Sequence, residues 1–507
     1  MTGPADPSSR QGPWGWSLLL GLTLPVLLAR WAFIAWGPTD LSVDEAYYRE
    51  WAQHLDYCYY SKGPVIAWLI ALSTHLGGEG VWGVRWLAPP LFALTGALVF
   101  DLVRRDTGRA GVAFLAALLL YSLPLLAPVG VLMTIDAPFL CLSTLLLWCA
   151  HRALHSAGVR WWLACGVVAG VGLLTKFTIL LNIAVILAAL LLVPGWRPWL
   201  RRPGPWLAAA LAALALLPVL IWNLQHEGVM LAHNMGHLGQ EPTLGQWRKA
   251  GDFLAGQMAL ASPVLFVWLL FWAGWRPLRP GSLDPLTWGM GAPLLGFFVL
   301  RGLAGDVEAN WADATYPPMI VLAVGAWHRA GRPGRRWLYG GMALGLACSL
   351  LIHDTDLLRA AGFPLHPASD PTKKIRGWQQ RIHAVEAVAR ESWGETAAWI
   401  LLSDRRDIVS QAAFYLPSGR PAYRVHDTPG ISSQHDLWPG PQGVHAGANA
   451  LIVLGEGAAL PAFVARHFRH CGPARQVDNP WHPGLAVTPC EGYDGLPMGA
   501  RGGESLP

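Results

Sequence analysis

The amino-acid sequence predicts an α-helical polytopic membrane protein with a small C-terminal α/β domain. Three observations support this fold class. The 507 residues have a mean hydropathy of +0.34 and only 14% of them are charged, whereas soluble domains carry about 25% charged residues. The apolar residues form repeated stretches that are long enough to cross a bilayer. After about Ile352 these stretches end and charged residues become frequent.

The overall composition excludes several classes of protein. A chain with so little charge is neither a purely soluble enzyme nor a disordered protein. The 28 tryptophans favour the boundary between lipid and water. The net charge of +5 is spread over short loops without a basic block, so we expect no nucleic-acid partner. The seven cysteines show no zinc-binding spacing.

The chain begins with a polar segment, residues 1–15, which we expect to form a cytoplasmic tail. A membrane module follows over residues 16–352, and its first span is Trp16–Trp36, about the 20 residues that cross a bilayer core. We expect about eleven spans, or up to about 13, because Val65–Leu76 has the length of a re-entrant or interfacial helix. The other predicted spans lie near residues 82–103, 110–128, 134–150, 161–175, 177–193, 206–222, 250–273, 286–301, 313–327 and 337–352.

The charges in the connections predict the orientation of the module. Arginines are concentrated in every second connection, from Arg104, Arg105 and Arg109 to the cluster within residues 329–336. Such arginine-rich connections stay in the cytoplasm. The opposite connections carry most of the acidic residues. This alternation places the N-terminus in the cytoplasm, and it places the loop 37–64 and residues 353–507 on the outer side.

The segment 353–507 has the composition of a soluble α/β domain. Two β-like runs, Ala397–Leu402 and Ala450–Leu454, lie on either side of a helix-like piece, Asp404–Tyr415. Cys471 and Cys490 both fall in this segment. They form either a disulfide or two free thiols, and the sequence leaves both readings open.

The most informative segment is the first outer loop, Thr39–Pro64, with the sequence TDLSVDEAYYREWAQHLDYCYYSKGP. Ser42 followed by Glu45 is a capping-box pattern, and it predicts a short helix at the membrane interface. Glu45 therefore either caps this helix or takes part in catalysis. Asp44 is either a solvated loop acid or a general base that deprotonates a hydroxyl group. Lys62 offers an ammonium group that suits a lipid phosphate on the same side.

A second group of outer polar residues lies at the margins of the apolar spans. Asp136 is either an ordinary acid of a helix N-terminus or a functional residue, and we favour the functional reading because Asp44 shares its side. Lys176 is either a snorkelling lysine or a phosphate ligand. Asn310 lies in a polar segment suited to substrate contact or to interfacial anchoring.

A loop rich in histidine connects two further spans. His226, His233 and His237 lie within residues 222–247. Their spacing matches no familiar set of metal ligands, so a metal site remains unknown at this point. His226 stays a candidate for substrate binding.

Taken together, these segments resemble the GT-C class of multi-span glycosyltransferases. The closer resemblance is to the bacterial glycosyltransferase family 39 group, which is related to protein O-mannosyltransferases and to lipid A aminoarabinose transferases. The resemblance covers nearly the whole chain. It rests on DEAYY and YYSKGP in the first outer loop, followed in order by TIDAPF, LLTKFT, HNMGH, EANW and DRRDIVSQAAFYLPSGRP.

The resemblance implies a role for individual residues. Asp44 takes the place of the family's catalytic acid, Asp136 that of a second essential acid, and Lys62 that of a lysine that contacts the donor phosphate. The aromatic positions that line the cavity correspond to Tyr48, Tyr59 and Tyr60. The pattern departs from the aminoarabinose transferases at Tyr47, where they have an arginine, and at Ser61, where they have a glutamate reported as a metal ligand. A divalent cation is therefore left open.

The resemblance also implies a reaction. A sugar moves, with inversion at its anomeric carbon, from a polyprenyl-phosphate donor to an acceptor on the periplasmic side of a bacterial inner membrane. The expected acceptor is lipid A or another envelope glycolipid, and a protein hydroxyl is the alternative, as in a protein O-mannosyltransferase. A transporter or flippase for a lipid-linked sugar is the competing class. It would favour charges in mid-span and repeated halves, which the sequence does not show.

Overall fold

A computed structural model describes residues 14–156, 158–238, 247–275, 284–417 and 420–498. Most of these residues form helices, and a single sheet lies near the C-terminal end. The expected cytoplasmic tail, residues 1–15, lies almost entirely outside the described residues.

The helical part of the chain follows the predicted apolar stretches closely. Its helices are Trp14–Trp36, Val43–Gln53, Val65–Gly77, Val81–Arg85, Ala88–Thr107, Ala110–Tyr121, Asp136–His155, Val159–Leu173, Ile179–Leu192, Pro203–Ala215, Leu217–Gln225, Val229–Leu238, Trp247–Leu260, Pro263–Leu269, Pro285–Met290, Ala292–Arg301, Tyr316–Arg329 and Arg335–His353. Most of them pack around one large apolar core, whereas Leu217–Gln225 and Val229–Leu238 contribute to a smaller apolar cluster.

Four helices in the described part of the chain are long and apolar enough to cross a membrane. They are Gly15–Trp36, Val81–Thr107, Asp136–His155 and Pro203–Gln225. The number rises to six if each of two bent helix pairs is counted as one span. Three shorter apolar helices, including Val65–Gly77, add to these. The chain is therefore a polytopic membrane protein, while the total of about eleven spans stays a prediction.

Two of the predicted spans are broken by proline. The expected span 250–273 is two helices that meet at an angle of 106°. The break falls at Ser262, whose φ is +66°, directly before Pro263. Likewise, the helix within 110–128 ends at Tyr121 and bends by 68° into a segment that begins at Pro124. Proline lacks the N–H that a continuous helix needs, so an apolar run alone overestimates helix length.

The C-terminal part folds into a six-stranded sheet flanked by helices. Its strands are β1 Trp399–Ser403, β2 Ala422–Arg424, β3 Asn449–Gly455, β4 Phe468–Cys471, β5 Arg475–Val477 and β6 Leu485–Tyr493, and its helices are Asp356–Ala360, Trp378–Trp393, Arg406–Tyr415 and Ala462–Ala465. The strand order is β2-β1-β3-β6-β4, and β5 also pairs with β6. Strands β1, β2 and β3 are parallel, and β6 is antiparallel to its neighbours.

The small C-terminal α/β domain is thus confirmed, and both β-like runs of the sequence are strands β1 and β3. The two faces of the sheet each cover an apolar cluster. Cys471 and Cys490 form a disulfide between β4 and β6, which decides the question that the sequence left open. The exact domain boundary near residue 352 stays a proposal.

Candidate active site

The first loop after the N-terminal helix contains a short helix, Val43–Gln53, which we call the loop helix. Ser42 caps it: the Ser42 hydroxyl accepts a hydrogen bond from the backbone N–H of Glu45 at 3.2 Å, and a Glu45 oxygen accepts one from the N–H of Ser42 at 2.9 Å. This is the predicted capping box, which satisfies two backbone donors at once.

Glu45 anchors the loop helix to the rest of the protein. Its two oxygens form a buried bidentate pair with Arg85, with both N···O distances at 2.7 Å. One oxygen also accepts the backbone N–H of Met133 at 2.9 Å. Burial alone would raise the pKa of Glu45, but the Arg85 charge and these hydrogen bonds lower it. Since both oxygens are occupied, we assign Glu45 to positioning rather than to the catalysis first considered for it.

Asp44 differs sharply from its neighbour in sequence. Its side chain is 52% exposed, and its partner is Arg406 of the C-terminal domain, with an N···O distance of 3.3 Å. An exposed carboxylate with one long ion pair keeps its remaining lone pairs available to an incoming hydroxyl group. This geometry suits a general base.

Lys62 lies in the same charged region. Its ammonium group has no hydrogen bond or ion pair within the part of the chain that the structure describes. Burial lowers the pKa of Lys62, and the charge of Lys176 lowers it further, while Asp44 and Asp136 act in the opposite direction. A cation held among other cations without a direct partner is suited to bind an anion such as phosphate.

Three of the predicted residues meet at the start of helix Asp136–His155. The Lys176 ammonium lies 2.9 Å from one Asp136 oxygen, and the Asn310 amide donates to the other at 2.7 Å. The Asp136 side chain is 12% exposed and that of Lys176 is 10% exposed. Lys176 therefore has a fixed partner instead of extending to the membrane surface as a snorkelling residue would.

A fourth polar residue of this region, Asp313, was not singled out from the sequence. It lies in the 3₁₀ segment Ala309–Thr315 that also carries Asn310. It is buried, and neither carboxyl oxygen has a hydrogen-bond partner among the described residues. Burial raises the pKa of Asp313 well above its usual value, the Asp136 charge adds to the rise, and Lys176 opposes it.

The three predicted aromatic residues take different positions. Tyr48 is buried. Burial raises the pKa of Tyr48, and the charges of Asp44 and Asp136 add to the rise. Tyr60 is partly exposed and its hydroxyl lies 3.0 Å from His233. Tyr59 is fully buried and stacks on Trp51 with ring centroids 4.4 Å apart. Tyr59 thus packs the loop and does not line a cavity, contrary to expectation.

The histidine-rich segment forms no metal centre in the described residues. His226 stacks on Trp222 with ring centroids 4.0 Å apart, and its Nδ1 lies 2.8 Å from the Trp222 carbonyl oxygen. The side chain of His237 lies outside the described part. No group of three or more potential ligands is arranged for a metal ion in the described ranges, so the divalent cation that the sequence left open has no support here.

Sequence reasoning also missed Arg406 and Asp313, although one signal was present for each. A basic residue at the first position of a helix opposes the helix dipole, and Arg406 begins the helix Arg406–Tyr415. An arginine placed there against its electrostatic preference suggests a functional reason. Likewise, Asp313 is an acid at the edge of a predicted apolar span, where ionisable groups are costly. The neighbouring Arg405 pairs with Asp407 instead.

The chain is similar to several known proteins. A family model described as dolichyl-phosphate-mannose-protein mannosyltransferase matches residues 61–222. The lipid A galacturonosyltransferase RgtD of Rhizobium johnstonii is 29% identical over 425 residues, which are 81% of this chain and 84% of that protein. An undecaprenyl phosphate-alpha-4-amino-4-deoxy-L-arabinose arabinosyl transferase of Pseudomonas fluorescens is 27% identical over 66% of this chain and 62% of its own.

Solved structures show the same fold. The crystal structure of ArnT from Cupriavidus metallidurans bound to undecaprenyl phosphate has a TM-score of 0.63 at 18% identity, and the match covers 94% of this chain and 98% of that one. The apo state of that protein gives the same TM-score at 16% identity.

The helical membrane part, the sheet domain on its end and the acidic loop define a glycosyltransferase with the GT-C fold. Within that class, these similarities support glycosyltransferase family 39.

Proposed function

We propose that this enzyme transfers a sugar from undecaprenyl phosphate to lipid A, or to a closely related envelope glycolipid, on the periplasmic side of a bacterial inner membrane. The observation that carries the proposal is the pairing of a half-exposed acid, Asp44, with Arg406 of the C-terminal domain at 3.3 Å. The charges of both residues also act on Lys62. The names of the similar proteins support the donor and the acceptor.

The proposed reaction is a single displacement at the anomeric carbon. The bond from that carbon to the donor phosphate breaks, and its electron pair leaves with the phosphate. A bond forms from the acceptor oxygen to the same carbon, and Asp44 takes the acceptor proton. As negative charge grows on the leaving phosphate, the ammonium of Lys62 stabilises it.

The Asp136 centre supports this reaction without taking the proton in our proposal. Asp136 holds Lys176 and Asn310 in fixed positions, and the three side chains together form one polar wall. A preorganised wall of this kind costs no reorganisation when charge develops in the transition state. The lipid-embedded helices hold the donor tail, so that its headgroup meets the loop helix.

The test is the variant Asp44→Asn in purified protein supplied with a polyprenyl-phosphate sugar and lipid A. We expect kcat to fall by roughly 10²–10⁴, while binding of the donor is retained. Glu79→Gln is the matched control, because Glu79 is an exposed acid of the next connection and pairs with Arg49. Near-normal turnover of the Asp44 variant would remove this residue from the mechanism.

A second measurement identifies the substrates. Mass spectrometry of envelope lipids and glycoproteins from cells with and without the gene reports which molecule loses which sugar. Loss of a sugar from a protein alone would favour the alternative that the matched mannosyltransferase family suggests. Movement of a lipid-linked sugar across sealed vesicles, with no glycosylated product, would indicate a flippase.

A further inference from the structure

The C-terminal domain places a helix directly against the loop helix. Three contacts fix this helix, Arg406–Tyr415, at the start of the loop. The Gln411 amide donates to the Leu41 carbonyl at 3.0 Å, and the Tyr415 hydroxyl accepts the Leu41 N–H at 2.9 Å. Ser410 donates to Glu50 at 3.3 Å. The helix therefore cannot shift without disturbing buried hydrogen bonds, and its first residue has a defined position.

That first residue, Arg406, extends into the candidate active site. Its guanidinium lies 3.3 Å from an Asp44 oxygen and 4.7 Å from the centre of the Tyr47 ring. The aromatic face holds the guanidinium from one side, while its side chain remains 40% exposed. Arg406 and Lys62 also affect each other electrostatically. The C-terminal domain thus supplies a partly exposed cation beside the proposed base.

We propose that Arg406 exchanges partners during the reaction: it pairs with Asp44 in the empty enzyme and with the donor phosphate in the loaded enzyme. This inference rests on the proposed function, because it needs a lipid-phosphate donor. It assigns to the C-terminal domain a part in the active site itself, and it makes the release of the base depend on the arrival of the donor.

The exchange follows from the relative strength of the two pairs. An ion pair between two half-exposed side chains at 3.3 Å is weak and easily replaced. A phosphate offers several oxygens to the forked guanidinium, and such charge-assisted bidentate contacts are stronger. When the bond to the sugar breaks, the phosphate gains further negative charge. Arg406 then binds the leaving group more tightly than the donor, and Asp44 keeps a free oxygen for the acceptor proton.

A double-mutant cycle with undecaprenyl phosphate as the probe tests the exchange. The purified full-length protein in detergent is compared with Arg406→Gln, Asp44→Asn and the double variant. We expect Arg406→Gln to weaken binding about tenfold or more. Asp44→Asn should strengthen binding about two- to fivefold, since the competitor of the phosphate is gone. The double variant should therefore bind the probe no more tightly than Arg406→Gln alone.

The cycle separates exchange from simple repulsion. If Asp44 only repelled the phosphate, its removal would strengthen binding equally with and without Arg406, and that result would overturn the proposal. Unchanged binding by Arg406→Gln would overturn it as well. Arg405→Gln is the matched control, because Arg405 is the adjacent arginine and pairs with Asp407; its affinity should match that of the unmodified protein.

Two further measurements test whether the guanidinium shape matters and whether each variant folds. Arg406→Lys keeps the positive charge but lacks the forked guanidinium. We expect its affinity to lie between those of the unmodified protein and Arg406→Gln. A thermal midpoint for each variant identifies any that fail to fold. If the unmodified protein binds undecaprenyl phosphate no better than an uncharged polyprenol, the proposed function itself fails, whereas strong but Arg406-independent binding rejects only the exchange.

Discussion

Two carboxylate centres of the candidate active site, one at Asp44 and one at Asp136, differ in hydration and in partners. The Asp44 side chain is 52% exposed and has one ion pair at 3.3 Å. The Asp136 side chain is 12% exposed and is held by Lys176 at 2.9 Å and Asn310 at 2.7 Å. Under the proposed function, this difference divides the tasks between the two acids. The solvent-exposed Asp44 can exchange a proton, whereas the enclosed Asp136 fixes the positions of its neighbours.

The residue next to Asp44 explains how an exposed acid can still be well placed. Glu45 is fully buried, pairs with Arg85 and accepts the N–H of Met133. Met133 lies three positions before Asp136 in the chain, so the Glu45 carboxylate connects the two centres. One acid of the Asp-Glu pair is thus buried and anchors the loop helix, and the other is exposed to solvent.

The largest effect is expected from removing this connection. Glu45→Gln leaves the Arg85 charge buried without a counter-charge, and breaking such a buried pair costs about 3–5 kcal/mol. We expect this loss in the free energy of unfolding, measured by denaturant titration in detergent. Glu79→Gln, which removes an exposed partner of Arg49, should change it by less than about 0.5 kcal/mol. Equal stability of the two variants would contradict the anchoring role.

A smaller effect should distinguish the two ion pairs of the site. A double-mutant cycle on Asp136 and Lys176, with kcat/KM as the readout, should give a coupling energy of about 1–3 kcal/mol, as for enclosed partners. The same cycle on Asp44 and Arg406, with the free energy of unfolding as the readout, should give less than about 1 kcal/mol. A larger coupling at the exposed pair would remove the contrast between the centres.

The sequence predicted the membrane class and the C-terminal sheet because apolar length and charge density are local properties. It also predicted Asp44, Lys62, Asp136, Lys176 and Asn310 as a set of candidates. Their actual pairing depends on residues that are 40 to 174 positions apart in the chain, which one sequence does not reveal. Tyr59 shows the limit clearly, since a tyrosine of the right motif proves to be a packing residue.

Arg406 shows a second limit of prediction from a single sequence. Its partner Asp44 lies 362 positions away, and the contact exists because a helix of the sheet domain docks on the loop helix. No residue of the C-terminal domain was named as a candidate site residue from the sequence. Only the docking of the two parts brings that arginine beside the acid.

The smallest expected effect concerns Asp313, and it tests whether water reaches the Asp136 centre. Its folded-state pKa is raised above the unfolded value near 4. At a pH below its pKa in the unfolded state, such a group favours the folded state. This contribution is lost as the pH rises toward the pKa of the group in the folded state. Asp313→Asn cannot ionise, so it should become more stable than the unmodified protein as the pH rises from 4 to 8, by on the order of 1 kcal/mol.

Thermal midpoints measured across this pH range check the expectation. Asp306→Asn is the control, because Asp306 is exposed on the neighbouring loop and pairs with Lys249, and its difference from the unmodified protein should stay nearly constant with pH. If the difference in thermal midpoint between Asp313→Asn and the unmodified protein also stays constant with pH, water or an ion reaches the Asp313 carboxylate. The Asp136 centre would then be as wet as the Asp44 centre, and the division of tasks between them would need another physical cause.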